Sequence, residues 1–156
     1  MAEMDRSGRI RETYIRNGTP VDRDFVADLA RRVFSSYGEY DRILPTCLDD
    51  PQFHTLVGEQ EDRPAGFCIL SIGDGVGEVV AVAVDPLWQG RGIGRQLMQA
   101  IVEDARGMGL RLLILKTATR NLSAQGMFRR IGFEETGRVA GYYAGGQSAI
   151  GMRKRL

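Results

Sequence analysis

Only two cysteines, Cys47 and Cys68, and one histidine, His54, occur among the 156 residues. Two thiols without a short spacing between them offer neither a disulfide framework nor a metal or redox motif, and they read as packing residues. A single histidine with no cysteine or second histidine beside it cannot complete a ligand set. No metal is therefore expected, and His54 reads as an ordinary strand or loop residue. Long apolar runs are also lacking. Runs such as 79–84 are far shorter than the roughly 20 residues that cross a bilayer, and the N-terminus has no cationic and apolar leader regions. No membrane or nucleic-acid partner is expected, and a cytoplasmic location follows by default.

What is present suits one folded domain. Hydrophobic residues make up 43% and charged residues 26%, ordinary values for a globular chain. Residues 1–8 are polar and read as a flexible N-terminus, with a single domain over 9–156, as a monomer or a homodimer. The formal net charge of +1 conceals an asymmetry. Between Glu39 and Asp62 seven acids face one base, Arg42, whereas between Arg106 and the C-terminus ten bases face two acids, Glu134 and Glu135. One stretch suits cations and the other anions.

The apolar pattern predicts an α/β sheet. A strand over 9–16 ends at Asn17-Gly18, and Thr19 as N-cap with Pro20 behind it opens a helix. Val21, Phe25, Leu29 and Val33 give that helix its stripe, which ends at Gly38. A short helix over 40–48 is interrupted at Pro45. Strands over 53–60 and 65–72 form a hairpin across the turn Glu61-Asp62-Arg63-Pro64. A glycine turn over 73–77 leads to a Val/Ala-rich strand over 78–85, expected at the centre of the sheet and covered on both faces. A helix over 93–108, a strand over 111–117, a helix over 121–131 and strands over 133–140 and 147–155 complete the chain.

The segment Gln89-Gly90-Arg91-Gly92-Ile93-Gly94 joins a strand to a helix N-terminus. Such a junction holds anions, because free backbone N–H groups and the helix dipole converge there. The glycines keep side chains out of the cradle, while Arg91 and Arg95 add positive charge. A P-loop would need Gly-Lys-Ser/Thr where Gly94-Arg95-Gln96 stands. A dinucleotide fold would need a glycine at Leu97 and an acid near Leu115-Lys116, which argues against it.

With that loop in place, the chain resembles the GNAT superfamily of acetyl-CoA-dependent N-acetyltransferases. Its signature, Gln/Arg-x-x-Gly-x-Gly/Ala after an apolar strand, is matched by residues 89–94 following Val82-Ala83-Val84-Asp85-Pro86. A second signature is matched by Asn121 and by Phe128-Arg129-Arg130-Ile131-Gly132-Phe133. The segment from Tyr142-Tyr143 to Met152-Arg153-Lys154 is similar to the family's last hairpin. The resemblance covers roughly residues 10–156 and implies a mixed, mostly antiparallel sheet of about seven strands with about four helices. It also implies acetyl-CoA as acetyl donor, with its pyrophosphate on the loop amides of Gln89, Gly90, Arg91, Gly92, Ile93, Gly94 and Arg95. The pantetheine arm is then expected along Val82, Ala83 and Val84, with Asn121 touching the cofactor or serving only as an N-cap.

Direct transfer needs a neutral amine and a proton for the departing thiolate. By the resemblance, Glu78 at the start of the central strand is the expected base. In the RimI branch, which acetylates protein N-termini, the base and acid positions correspond here to Lys116 and Phe128, neither suited to those roles. Tyr142 and Tyr143 remain as candidate acids, Tyr143 preferred, with only one reaching the thioester if that segment is extended. The acceptor, a primary amine of a small molecule or peptide, is expected among Phe34, Tyr37 and Tyr40, with the acids of 39–62 beside them to favour a cation. The competing class is a GNAT-like module that senses acyl-CoA without turnover.

Overall fold

A computed structural model describes residues 3–4, 10–11 and 13–156. Most of the tail expected over 1–8 and parts of the strand expected over 9–16 lie outside the described residues. The rest of that strand divides into β2 (Ile10–Arg11), which pairs with β1 (Glu3–Met4), and β3 (Tyr14–Asn17). A seven-stranded sheet runs in the order β3, β4 (Phe53–Gln60), β5 (Arg63–Ile72), β6 (Val76–Val84), β7 (Leu112–Ala118), β9 (Ala149–Arg155), β8 (Glu134–Val139). Only β6 and β7 pair in parallel. This is the mixed, mostly antiparallel sheet expected, with α1 (Arg23–Phe34), α2 (Tyr40–Ile43), α3 (Ile93–Gly107) and α4 (Leu122–Ile131). None of the described helices is long and apolar enough to cross a membrane.

Helix periodicity explains how the two faces are covered. Leu97, Met98, Ile101 and Ala105 of α3 pack against Leu56, Cys68 and Leu70, with Phe128 of α4 beside them. On the other face Val26, Leu29 and Ala30 of α1, with Leu44 and Cys47, cover Phe67, Ile69, Ala81 and Ala83. Both cysteines are free and buried, as expected. His54 lies in β4 and meets Asp104 of α3 at 2.7 Å. Pro64 precedes Gly66, where β6 begins to pair, so its missing N–H costs the ladder nothing.

Two local expectations need correction. Val21 is 90% exposed, because residues Pro20–Asp22 form a tighter 3-10 turn that rotates it off the helical stripe. The strand buried on both faces is β5, whose residues 67–70 are all inaccessible. β6 instead alternates buried and half-buried residues, and two of the half-buried ones, Val80 and Val82, line the opening that β7 leaves.

That departure organises the molecule. β6 and β7 pair only from Val76 opposite Leu112 to Val79 opposite Leu115. Beyond this point β6 stays with β5 to Val84, and β7 stays with β9 to Ala118. A bulge places Val80 as an extra residue at the parting, since Ile69 faces Ala81 while Leu70 faces Val79.

At the far edge, Arg16 of β3 donates to both oxygens of Asp22 at 2.8 Å and also to Glu59 of β4. The bonds from Arg16 hold the Asp22 carboxyl below its ordinary range, aided by the Thr19 backbone N–H and opposed by burial. A depressed carboxyl stabilises the fold above its unfolded-state pKa of about 3.9, and that contribution is lost as pH falls through the folded value. Asp22→Asn should therefore lower the thermal midpoint at pH 7, and the difference from wild type should shrink below about pH 4. A difference that stays constant down to pH 2 in a melting series would remove the ion pair as its cause.

Candidate active site

The cradle begins where β6 ends. Asp85 caps the short turn Pro86–Trp88 by accepting from the Leu87 N–H at 3.0 Å, and pairs with Arg32 of α1 at 3.0 Å, which depresses its carboxyl. The Gln89 side chain turns back and donates to the Val84 carbonyl at 3.2 Å. Gly90 and Gly92 take φ values of +78° and +81°, a region that side chains disfavour. A β-carbon at Gly90 would meet nothing within 4 Å, and at Gly92 only Arg95 Nη2 at 3.8 Å, so the space above the loop is open. Gly94 serves packing, with Met127 and Val84 within 3.5 Å of an added β-carbon.

Gly92 is the N-cap of α3, and the Gln96 N–H returns to the Gly92 carbonyl at 3.0 Å. The amides of Ile93, Gly94 and Arg95 precede that first helical bond and are free to bind an anion. The Ile93 side chain itself is buried in the core, so it contributes only backbone. Arg91 lies over the Trp88 ring, 4.9 Å from its centroid, with Nη1 buried and unpartnered. Open space, free amides and an unmet guanidinium donor together fit a phosphate-bearing group.

Where β6 and β7 part, a cavity of about 100 Å³ passes through the sheet. One side is walled by Asn121, Ala124 and Phe128 at α4, the other by Phe34, Tyr37, Tyr40 and Tyr143. Val82 lines it directly, whereas the Ala83 side chain points into the α1 core and Val84 lies above, toward the loop. Along this stretch the β7-facing backbone edge of β6 has no strand partner. Asn121 caps α4, accepting from the Ala124 N–H at 3.2 Å, and also lines the cavity, so its amide N–H groups remain available to a ligand. The N-cap role expected of it is present.

The three expected acceptor aromatics are thus brought together, with Phe34 and Tyr40 5.7 Å apart. Tyr142 and Tyr143 sit in the loop after β8, and the segment is not the extended one on which their opposite facing depended. That loop folds on itself, with the Tyr143 N–H on the Gln147 carbonyl, and docks on α1 through Gln147 Nε2 to Ser36 O at 2.8 Å. The two rings therefore lie together, 5.0 Å apart, and do not face opposite ways. Only Tyr143 lines the cavity, packed 4.9 Å from Tyr37. Burial, reinforced by Tyr40, Tyr142 and Tyr37, raises its phenol well above the ordinary value, which keeps it a proton donor. Tyr142 is 42% exposed and carries the Lys116 ammonium 5.2 Å from its ring centroid.

Glu78 is not part of the cavity wall. It lies where β6 and β7 still pair, opposite Ile114 and Ser71, on the same face as Val80, which does line the cavity. The acids of 39–62 are also absent from the wall. Asp49 is taken by Arg23, Asp41 by Arg31 at 3.6 Å, Glu39 by Arg42 at 3.7 Å and Glu59 by Arg16. The expectation of a cation-favouring acidic wall is corrected accordingly: none of the seven acids lines the cavity, and four of them pair with arginines, three of those on β3 and α1. Lys116, unsuited to act as the base, stands in the wall together with Thr117.

Comparison with known proteins agrees with this architecture. A candidate ribosomal protein bS18-alanine N-acetyltransferase of Bacillus subtilis is 28% identical over 139 residues, covering 88% of this chain and 92% of that protein. The N-alpha-acetyltransferase RimI of Mycobacterium tuberculosis is 38% identical over 78 residues, about half of each chain. An L-methionine sulfoximine/L-methionine sulfone acetyltransferase of Pseudomonas aeruginosa is 31% identical over 94 residues, 47% of this chain and 55% of that protein. In fold, the chain is similar to the ribosomal-protein-S18-alanine N-acetyltransferase of Escherichia coli, with a TM-score of 0.84 at 20% identity over 93% of this chain and 94% of that one. A Salmonella typhimurium neighbour, with a TM-score of 0.80 at 18% identity over 92% of this chain and 94% of that one, holds acetyl-CoA. The sequence matches the acetyltransferase (GNAT) family over residues 23–133, and the chain belongs to that family as an N-acetyltransferase.

Proposed function

We propose that this enzyme takes the acetyl group of acetyl-CoA and delivers it to the α-amine of an amino acid or peptide. The observation that carries this reading is the wall of the through-sheet cavity, which is aromatic and apolar on the acceptor side and contains no carboxylate. A lysine side chain or polyamine, with a pKa near 10.4, is neutral at pH 7.4 in only about a thousandth of molecules and needs a base at hand. The α-amine of a peptide, with a pKa of about 7.7–8.0, is neutral in roughly a quarter and can enter this wall ready to react. The relatives named for alanine N-termini and for methionine derivatives support the same class.

Acetyl-CoA supplies the thioester, whose carbonyl carbon accepts the amine lone pair as the carbon–sulfur bond breaks and the new amide forms. The chain's residues hold and steer that exchange. The amides at the start of α3 and Arg91 hold the pyrophosphate, and the free edge of β6 holds the amide groups of the arm. Glu78, two residues along the strand from Val80 and so about 7 Å away on the same face, takes through water the proton that the neutral amine sheds once its nitrogen has bonded to the carbonyl carbon. Tyr143, kept protonated by burial, returns a proton to the thiolate.

Gly92→Glu should abolish acetyl-CoA binding in calorimetry, since a side chain forced into a left-handed φ would project a carboxylate into the cradle. Unchanged affinity in a folded variant would exclude this loop from the site. Glu78→Gln should lower kcat by roughly 10²–10⁴-fold while donor affinity holds. Wild-type turnover would mean that solvent removes the proton unaided. Tyr143→Phe should lower kcat with little change in melting temperature, and Tyr142→Phe should not, because only Tyr143 lines the cavity. Equal turnover by both variants and their double mutant would assign the thiolate proton to solvent.

A further inference from the structure

Among the described residues, the cavity wall contains one charged side chain, Lys116. Its position follows from β7. Leu115 is the last residue paired with β6 and turns into the core, so Lys116, the next residue, emerges on the opposite, aromatic face just beyond the parting. The ammonium is held 5.2 Å from the Tyr142 ring centroid, and Tyr142 packs on Tyr143 in the wall. Glu78 of β6 shares this face but lies outside the wall, where β6 and β7 still pair. Of the other acids, Asp41 is engaged with Arg31, Glu39 with Arg42, Asp85 with Arg32, Glu134 with Arg153 and Glu135 with Arg129. The acceptor side of the cavity therefore presents a cation, held by a ring, with no anion in the wall to meet it.

We infer that Lys116 is a specificity-determining residue that selects acceptors bearing a carboxylate close to the reacting α-amine. The inference rests on the α-amine reading above. The amine must reach the place where β6 and β7 part, and Lys116 is the first residue past that place on the acceptor face. A carboxylate oxygen about three to five bonds from the amine lies within reach of the flexible four-carbon stem. The same charge disfavours a protonated amine beside it, which suits an acceptor that binds neutral at nitrogen and anionic at carboxylate. Two sources share this chemistry: the α-carboxylate of a free amino acid, and the side chain of Asp or Glu opening a peptide.

Steady-state kinetics on two matched pairs of acceptors tests the inference and separates the sources. The pairs are L-methionine with L-methioninamide, and the amidated peptides Asp-Ala-Ala-Ala with Asn-Ala-Ala-Ala. In wild type, the acidic member of at least one pair should show kcat/KM higher by about tenfold or more, the scale of one charge-assisted contact in a half-open site. The pair that shows it names the source. In Lys116→Met the ratio should fall to near one, chiefly through KM, and Lys116→Arg should keep most of it. Equal use of acidic and neutral members by wild type overturns this inference and leaves the α-amine reading standing. A ratio that survives in Lys116→Met also overturns it. No turnover of any of the four acceptors, with acetyl-CoA bound normally, overturns the α-amine reading and the role of Lys116 with it.

Discussion

The structure depends on the parting of β6 from β7 after Val79 and Leu115. A parallel pair that simply continued would close the sheet and leave no path between its faces. Here β5 holds β6 on one side, β9 holds β7 on the other, and the bulge at Val80 bends the strand where the two separate. The edge so exposed carries backbone donors and acceptors with no strand partner, and leaving such groups buried and unmet costs about 1–3 kcal/mol each. Water or an extended amide-bearing ligand must satisfy them. The opening is thus a cost in sheet pairing that becomes binding capacity.

The cavity works because both ends are supplied by elements far apart in the chain. The strand that leaves the parting runs directly into the left-handed glycines 90 and 92 and the free amides of α3, so the anion cradle is continuous with the open edge. On the other face, the turn after α1 meets the loop after β8 where Gln147 docks on the Ser36 carbonyl and Tyr143 packs against Tyr37. Electrostatics divides the same way. Arginines of β3 and α1 pair with Asp22, Asp41, Asp49, Glu59 and Asp85, and the one charged side chain in the cavity wall among the described residues is Lys116.

Local signals were legible in the sequence because they are written within a turn or two of chain. Thr19 and Pro20 start a helix, Gly92 and Gly132 bound two others, and the 3.6-residue stripe of α3 reaches the core as the spacing requires. Val21 shows the limit of that logic, since a tighter first turn rotated it outward. The loop 89–94, with the context that makes it an anion site and the resemblance it supports, depends on residues adjacent in sequence, and it stands where expected.

What tertiary structure alone decided is which side chains look into the cavity. Glu78 and Val80 share a face, yet pairing with β7 covers one and releases the other, a fact of register between strands more than thirty residues apart. The acids of 39–62 read as an acceptor wall until α1 placed arginines against them. Tyr142 and Tyr143 would face opposite ways only if their segment were extended, and a loop folds them together instead. Lys116 acquired its place from three strands at once. The sequence by itself determined the elements, the cradle and the family, because hydrogen bonds and glycine conformations act between near neighbours. The identity of the acceptor wall belongs to the fold, because opposite charges and rings find partners by distance in space, which no local pattern encodes.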